Sequence, residues 1–206
     1  MAPSVPMSIL GITGGIASGK SICRDLLAER IGAIAFDADT CVSELLEEDA
    51  AVREQILERI HPDAYASGKA NRALLRELIY GDIHKKRALE EILHPVVRGR
   101  WLAEAQKAKL AGKFFVADIP LLFETGAEAQ FDRIITVGCS VETQLARLCA
   151  RDASSPEMSK KIIASQMPLD IKISKTHHLI WNDGSLDALT AQVELVARYL
   201  HDDRDG

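Results

Sequence analysis

Residues 14–21, Gly14, Gly15, Ile16, Ala17, Ser18, Gly19, Lys20 and Ser21, constrain this chain more than any other stretch. They fit G-x-x-x-x-G-K-[ST], the pattern of a phosphate-binding loop. The apolar run 7–13 before them reads as a buried strand. Residues 21–30 after them read as a helix with Ile22, Leu26 and Leu27 on one face. A glycine turn alone is compatible with binding nothing, but a strand, a glycine loop and a helix in succession select nucleotide binding. Backbone N–H groups converge in such a loop, and the helix N-terminus adds unpaired donors and partial positive charge. Lys20 reaches the terminal phosphates and Ser21 is placed to ligate Mg²⁺. Ala17 is expected at ordinary backbone angles, because alanine tolerates a left-handed conformation less well than glycine does.

The 206 residues suffice for one domain with insertions or two small ones, with a sizeable core. A net charge of -5 argues against a general nucleic-acid surface and leaves room for a local basic pocket. Cys23, Cys41, Cys139 and Cys149 form no C-x-x-C pair and no zinc-finger spacing, so isolated thiols in a reducing compartment are expected. No apolar stretch approaches 18 residues, and residues 1–6 lack a basic region. A short flexible lead-in, no membrane span and a cytoplasmic location are the expectation.

Further strands are expected at 33–36, 113–117, 133–137 and 179–181, alternating with helices at βαβ spacing. This alternation gives a mostly parallel sheet with helices on both faces. The second strand runs into Asp37 and Asp39, which share a side if the strand extends through them and diverge if it ends first. Asp118 closes the third strand, where a magnesium-water ligand would sit, and Pro120 stops that strand. Leu121, Leu122 and Phe123 are either core or the apolar wall of an acceptor pocket.

Residues 40–60 read as mostly helical and 71–80 as a short helix carrying Arg72 and Arg76 on one face. These arginines receive an anion, or else they are solvated or pair with Glu77 and Glu44, the commoner fate of surface arginines. Residues 83–111 form a long amphipathic segment that His94 and Pro95 are expected to break or kink. His94 is by default a capping or packing residue. So much helix between two strands exceeds an ordinary crossover and reads as an inserted acceptor-binding subdomain. In the helix 141–151, Gln144, Arg147 and Arg151 make one polar stripe, and a helix at 157–167 completes a candidate lid. A loop spans 152–156, a closing helix spans 186–200, and a frayed polar tail follows. His177 and His178 lack a third ligand at metal spacing.

Taken in order, these residues resemble the dephospho-coenzyme A kinase family. The match includes 11–21, Asp37-Ala38-Asp39, Asn71-Arg72 with Leu75, and His94-Pro95 with Val97-Arg98. It continues through 118–126, Gln144, Arg147, Arg151-Asp152, Gln166, Ile180, Asn182 and Gly184. The resemblance implies a three-layer P-loop kinase fold with a helical CoA-binding insert and a lid, ATP and Mg²⁺ as cofactors, and dephospho-CoA as the phosphoryl acceptor. It divides the chain into a core of 7–39, 112–140 and 176–201, an acceptor region of 40–111 and a lid of 141–175. Asp39 matches the family's proposed catalytic aspartate, and Arg147 and Arg151 match its lid arginines. On the ATP side stand 14–21, Arg147, Arg151 and Asn182, with Lys20 and Arg147 acting on the migrating phosphoryl. On the acceptor side stand Asp37, Asp39, Arg72, His94, Arg98, Pro120, Leu121, Leu122 and Phe123. Ser21, with Asp118 or Asp37 through a water, would hold the metal. A monomer, with room for weak self-association, that binds neither nucleic acid nor membrane is expected. Three departures stand out: Ala17 where the family usually has Gly, Ser43 where many members have Arg, and His177-His178 for the usual Ala-Asp.

Two other readings stay open on residues alone. A nucleoside or nucleotide kinase would share the loop and the lid. A GTPase-type switch wants an Asn-Lys-x-Asp loop, which this chain lacks.

Overall fold

A computed structural model describes residues 9–152 and 155–205. The expected lead-in and the first two residues of the expected 7–13 strand lie outside the described residues, as do Ala153 and Ser154 of the expected loop and the final Gly206. Five short strands form one parallel sheet: β1 (Ile9–Gly14), β2 (Ile34–Asp37), β3 (Phe115–Asp118), β4 (Arg133–Gly138) and β5 (His178–Trp181), in the order β2-β3-β1-β4-β5. The three inner strands β3, β1 and β4 are buried almost throughout, as the covered faces of a parallel sheet require, whereas the edge strands β2 and β5 are partly exposed. All five C-terminal ends meet one edge, where β1 hands over to the glycine loop.

On one face of the sheet lie α1 (Lys20–Ile31) and α9 (Leu186–Asp205). Leu10, Ile12, Val116, Ile135 and Ile180 pack there with Leu27 and Val193. The buried row of α1 is Cys23, Leu27 and Ile31. The expected face through Ile22 is corrected, since Ile22 is 51% exposed and Leu26 only partly buried. Steps of four residues advance about 40° beyond a full turn, so 23, 27 and 31 form one continuous ridge. The closing helix also runs past the expected end at 200, to Asp205, because neither Gly nor Pro interrupts it there. On the other face of the sheet, Gly11 admits Leu122; a Cβ at Gly11 would lie 2.7 Å from Leu122 Cδ1.

The chain resolves into two compact units: Met1–Asp37 with Glu104–Gly206, and Ala38–Ala103. The second unit holds α2 (Ala38–Glu48), α3 (Ala50–Arg59), a 3₁₀ turn (Pro62–Tyr65), α4 (Arg72–Gly81) and most of α5 (Ile83–Leu110). The stretch expected to be mostly helical at 40–60 is so, and it consists of two helices. Asp49 divides them, its carboxylate accepting from the N–H groups of Ala51 (3.1 Å) and Val52 (3.0 Å) as the N-cap of α3. The break expected at His94-Pro95 is absent, and α5 continues through Pro95. An internal proline costs about 3 kcal/mol, and the burial of Ile92, Leu93, Val97 and Trp101 around it offsets that cost.

After β4 come α6 (Val141–Asp152), α7 (Pro156–Ala164) and α8 (Leu169–Ser174). The helix expected over 157–167 stops at Ala164, and α8 was not anticipated. Pro168, the N-cap residue of α8, disfavours helical angles at Met167 and separates the two. Among the described residues, no helix is long and apolar enough to cross a membrane.

Candidate active site

Between β1 and α1 the glycine loop folds over its own lysine, as Lys20 Nζ donates to the Gly15 carbonyl at 3.1 Å. Gly19 has φ 90°, and a Cβ there would lie 2.3 Å from Asn182 Nδ2. Ala17 has φ 58°. The expectation of ordinary angles at Ala17 is therefore corrected: this alanine occupies the left-handed region at a cost of about 1–2 kcal/mol.

Side chains from the C-terminal half hold Ala17 and its neighbours from outside. Gln144 Nε2 donates to the Ile16 carbonyl (2.9 Å), Arg147 to the Ala17 carbonyl (3.3 Å) and Asn182 Nδ2 to the Ser18 carbonyl (2.8 Å). Arg147 also donates to the Asn182 carbonyl (3.0 Å), and Gln166 Oε1 accepts from the Ile16 N–H (3.0 Å). In a trans peptide, C=O and the following N–H point in opposite directions. Drawing the carbonyls of Ile16 and Ser18 outward therefore turns the N–H groups of Ala17 and Gly19 inward. This cradle, the Lys20 ammonium and the first turn of α1 form a donor set suited to phosphate oxygens. The Ser18 hydroxyl is buried with no hydrogen-bond partner among the described residues, a polar group that a bound phosphate or its water would satisfy.

At the sheet edge, Ser21 Oγ lies 3.3 Å from Asp118 Oδ2. A hydroxyl and a buried carboxylate side by side are the hard oxygen donors that Mg²⁺ takes. Asp37 is the register neighbour of Asp118 across β2 and β3. Its carboxylate pairs with the Arg24 guanidinium, which also bonds Asp25 at 2.8 Å. Burial opposes the charge on Arg24, but the hydrogen bonds and charges of Asp37 and Asp25 outweigh it and raise its pKa. Of the two carboxylates anticipated near a metal, Asp118 meets Ser21, and Asp37 pairs with Arg24. Sequence reasoning missed Arg24, although its i+4 spacing from Lys20 places it on the same side of α1. Behind the site, burial first and the Asp118 charge second push the Cys23 thiol up to about 12, so it stays protonated.

β2 ends at Asp37, so Asp39 does not share a strand face with it. Asp39 lies exposed in the first turn of α2. Within the second unit, Arg72 donates to Ser43 Oγ (3.0 Å), to the Ser43 carbonyl (3.2 Å) and to Glu47 (3.3 Å). The carboxylate that Arg72 meets is Glu47, and Glu44 pairs with Arg100 at 3.4 Å. His94 and Arg98 stand one turn apart on α5, and His94 is half-buried. Burial lowers the His94 pKa, Glu90 opposes the shift and Arg98 adds to it. Leu122 and Phe123 are 0% and 6% exposed and belong to the core, while Pro120 and Leu121 are half-buried. Asn182 and Arg147, expected on the ATP side, bond carbonyls of the loop, Arg147 also bonds that of Asn182, and Arg151 is exposed one turn further along α6. His177 Nδ1 accepts from the Ile134 N–H (3.0 Å) and His178 stacks edge-on against Tyr199, so both serve the fold. Among the described residues no group of three or more His, Cys, Asp or Glu side chains could hold a metal by itself.

A glycine loop feeding a helix N-terminus at the carboxyl edge of a parallel sheet, with lysine, hydroxyl and carboxylate gathered there, defines a P-loop nucleotide-binding protein. The sequence profile of the dephospho-CoA kinase family matches residues 8–188. A dephospho-CoA kinase from Symbiobacterium thermophilum is 40% identical over 194 residues, covering 93% of this chain and 81% of the relative. A crystal structure of a Thermus thermophilus protein superposes with a TM-score of 0.75 at 31% identity, covering 95% of this chain and 99% of that one. The Campylobacter jejuni dephospho-CoA kinase structure gives 0.63 at 25% identity, covering 95% and 98%. The chain belongs to the dephospho-CoA kinase family. It is an enzyme of CoA biosynthesis that uses ATP to phosphorylate dephospho-CoA to coenzyme A.

Proposed function

We propose that this chain moves the γ-phosphoryl of ATP in line onto the ribose 3′-hydroxyl of dephospho-CoA, with roles divided among its residues as follows. The 14–21 loop and Lys20 bind the β- and γ-phosphates and balance the charge that develops between them. Asp39 orients the 3′-hydroxyl and accepts its proton; its place two residues beyond the sheet edge supports this role. Arg151 faces the migrating phosphoryl, and Arg147 and Asn182 keep the loop amides aimed inward. Ser21 and Asp118 would hold Mg²⁺, which when bound neutralises phosphate charge. Their mutual contact at the loop mouth is the observation that carries the reading. Arg24 keeps the Asp37 charge from opposing Asp118. Catalysis of this kind rests on positioning and electrostatics, so no covalent enzyme intermediate is invoked.

Arg72, His94 and Arg98 of the helical unit, and separately Pro120 and Leu121 of the sheet unit, are assigned to the acceptor in this proposal. Arg72, bonded over Ser43, brings a guanidinium to the position where many family members carry an arginine. The core of 7–39, 112–140 and 176–201, the acceptor region of 40–111 and the lid of 141–175 are assigned on the same basis. A cytoplasmic location fits the free cysteines, three of them buried, and a monomer is part of the same proposal.

Coupled ADP release from Mg-ATP tests the reading with dephospho-CoA, adenosine, AMP and pantetheine in parallel, beside a no-acceptor control. Release with dephospho-CoA alone, giving CoA, is expected. Preference for a nucleoside or nucleotide refutes the acceptor assignment, and acceptor-independent hydrolysis refutes the kinase chemistry.

A further inference from the structure

Lys172 lies in α8 with its side chain 0% exposed, an unusual place for an ammonium group, and the mechanism above makes no use of it. Its Nζ donates to the Pro120 carbonyl at 2.9 Å and meets Glu124 Oε1 at 2.9 Å. The same Glu124 oxygen accepts from the Met167 N–H at 3.1 Å. The Pro120 carbonyl also accepts from Thr13 Oγ1 at 3.2 Å. Next to Met167, Gln166 accepts from the Ile16 N–H of the glycine loop.

These bonds join into one path. Thr13 immediately precedes Gly14, Pro120 lies two residues beyond Asp118, and the 166–172 segment reaches both the loop and the Pro120–Glu124 turn. Replacing a buried ion pair with apolar residues is often neutral for stability, so burial alone gives a weak reason for a charge here. An ammonium can join a carbonyl and a carboxylate at once, which a methionine of similar length cannot do. We infer that Lys172, paired with Glu124, is a positioning residue: it fixes the exits of β1 and β3 against each other and holds the 166–167 strap on the Ile16 amide. It thereby sets the geometry of the phosphate loop without touching substrate.

The inference rests on the kinase reading only for its turnover readout. Hydrogen exchange at the Ile16 amide in the nucleotide-free protein tests it independently. Three variants suffice: Lys172→Met, Lys172→Arg, and Lys172→Met combined with Glu124→Gln, in which no charge is left unpaired. Lys172→Met is expected to speed Ile16 exchange at least tenfold and to lower kcat at least tenfold, while the dissociation constant for ADP moves less than about threefold. The arginine variant should recover part of both. The double variant should regain the wild-type unfolding midpoint yet keep the fast exchange and the low kcat, and it decides the matter even if Lys172→Met does not fold. Wild-type exchange and kcat in the folded double variant would overturn the inference and leave the pair a merely structural one. Altered exchange with no kinase activity in the wild-type protein would instead fault the functional reading.

Discussion

Gly14 offers the sharpest test of how the sheet delivers the loop. A Cβ at this position would lie 2.0 Å from the Val137 carbonyl oxygen and 2.9 Å from the Val137 carbonyl carbon. Both atoms are backbone, and Val137 is the register partner of Gly14 in the β1–β4 ladder. Relief therefore requires prying apart strands that sit about 4.8 Å from each other, because no side chain is there to rotate away. The loss of about two ladder hydrogen bonds costs about 2 kcal/mol. The backbone at φ 151° adds about 1–2 kcal/mol for a residue with a side chain. Gly14→Ala should then cost about 3–4 kcal/mol in all, a large part of the roughly 5–15 kcal/mol that holds a typical domain together. Gly32 is the control. It is left-handed too, at φ 62°, but a Cβ there meets nothing within 4 Å, so Gly32→Ala should carry only the conformational cost of about 1–2 kcal/mol. Urea unfolding of both variants, with m held as a check, measures the difference. Coupled ADP release should show a severe loss of turnover for Gly14→Ala and near-normal turnover for Gly32→Ala. Equal destabilisation of the two, or a Gly14→Ala variant within about 0.5 kcal/mol of wild type, would refute the steric argument.

Other variants probe the site itself. Lys20→Ala and Asp39→Asn should each lower kcat by about 100-fold or more in protein with an unchanged circular dichroism spectrum; normal turnover in either removes that residue from the mechanism. Asn182→Ala leaves the buried end of the Ser18 carbonyl bond unpaired. A stability loss of about 1–3 kcal/mol and weaker ADP binding by calorimetry are expected, and unchanged ADP binding would contradict the bracing role. His94 binds its proton more weakly when folded than when unfolded. Between the folded pKa and about 6.5 the unfolded chain therefore takes up more protons, and stability falls as pH drops through that window. Urea midpoints measured from about pH 5 to 8 should show this slope in the wild type and a flatter one in His94→Gln.

The local order of the chain made the loop, the sheet edge and the helical insert legible. The glycine spacing of 14–21, the apolar runs before Asp37 and Asp118, and the turn at 182–184 all act within a few residues. Backbone sterics and periodicity govern that range. Tertiary structure alone decided the rest. Gln144 meets the loop across 128 residues, Gln166 across 150 and Asn182 across 164, distances at which no period in the sequence carries information. Those contacts hold Ala17 left-handed against its own preference, just as buried neighbours carry α5 through Pro95 against the usual rule. Asp37 and Asp118 are one pair of similar carboxylates in sequence; the hydroxyl of Ser21 beside one and the guanidinium of Arg24 beside the other set them apart. Nothing in the local sequence singles out Lys172, which only the fold buries. Local propensity costs or gains about one kcal/mol per residue, and packing, summed over many neighbours, outweighs it wherever the two conflict.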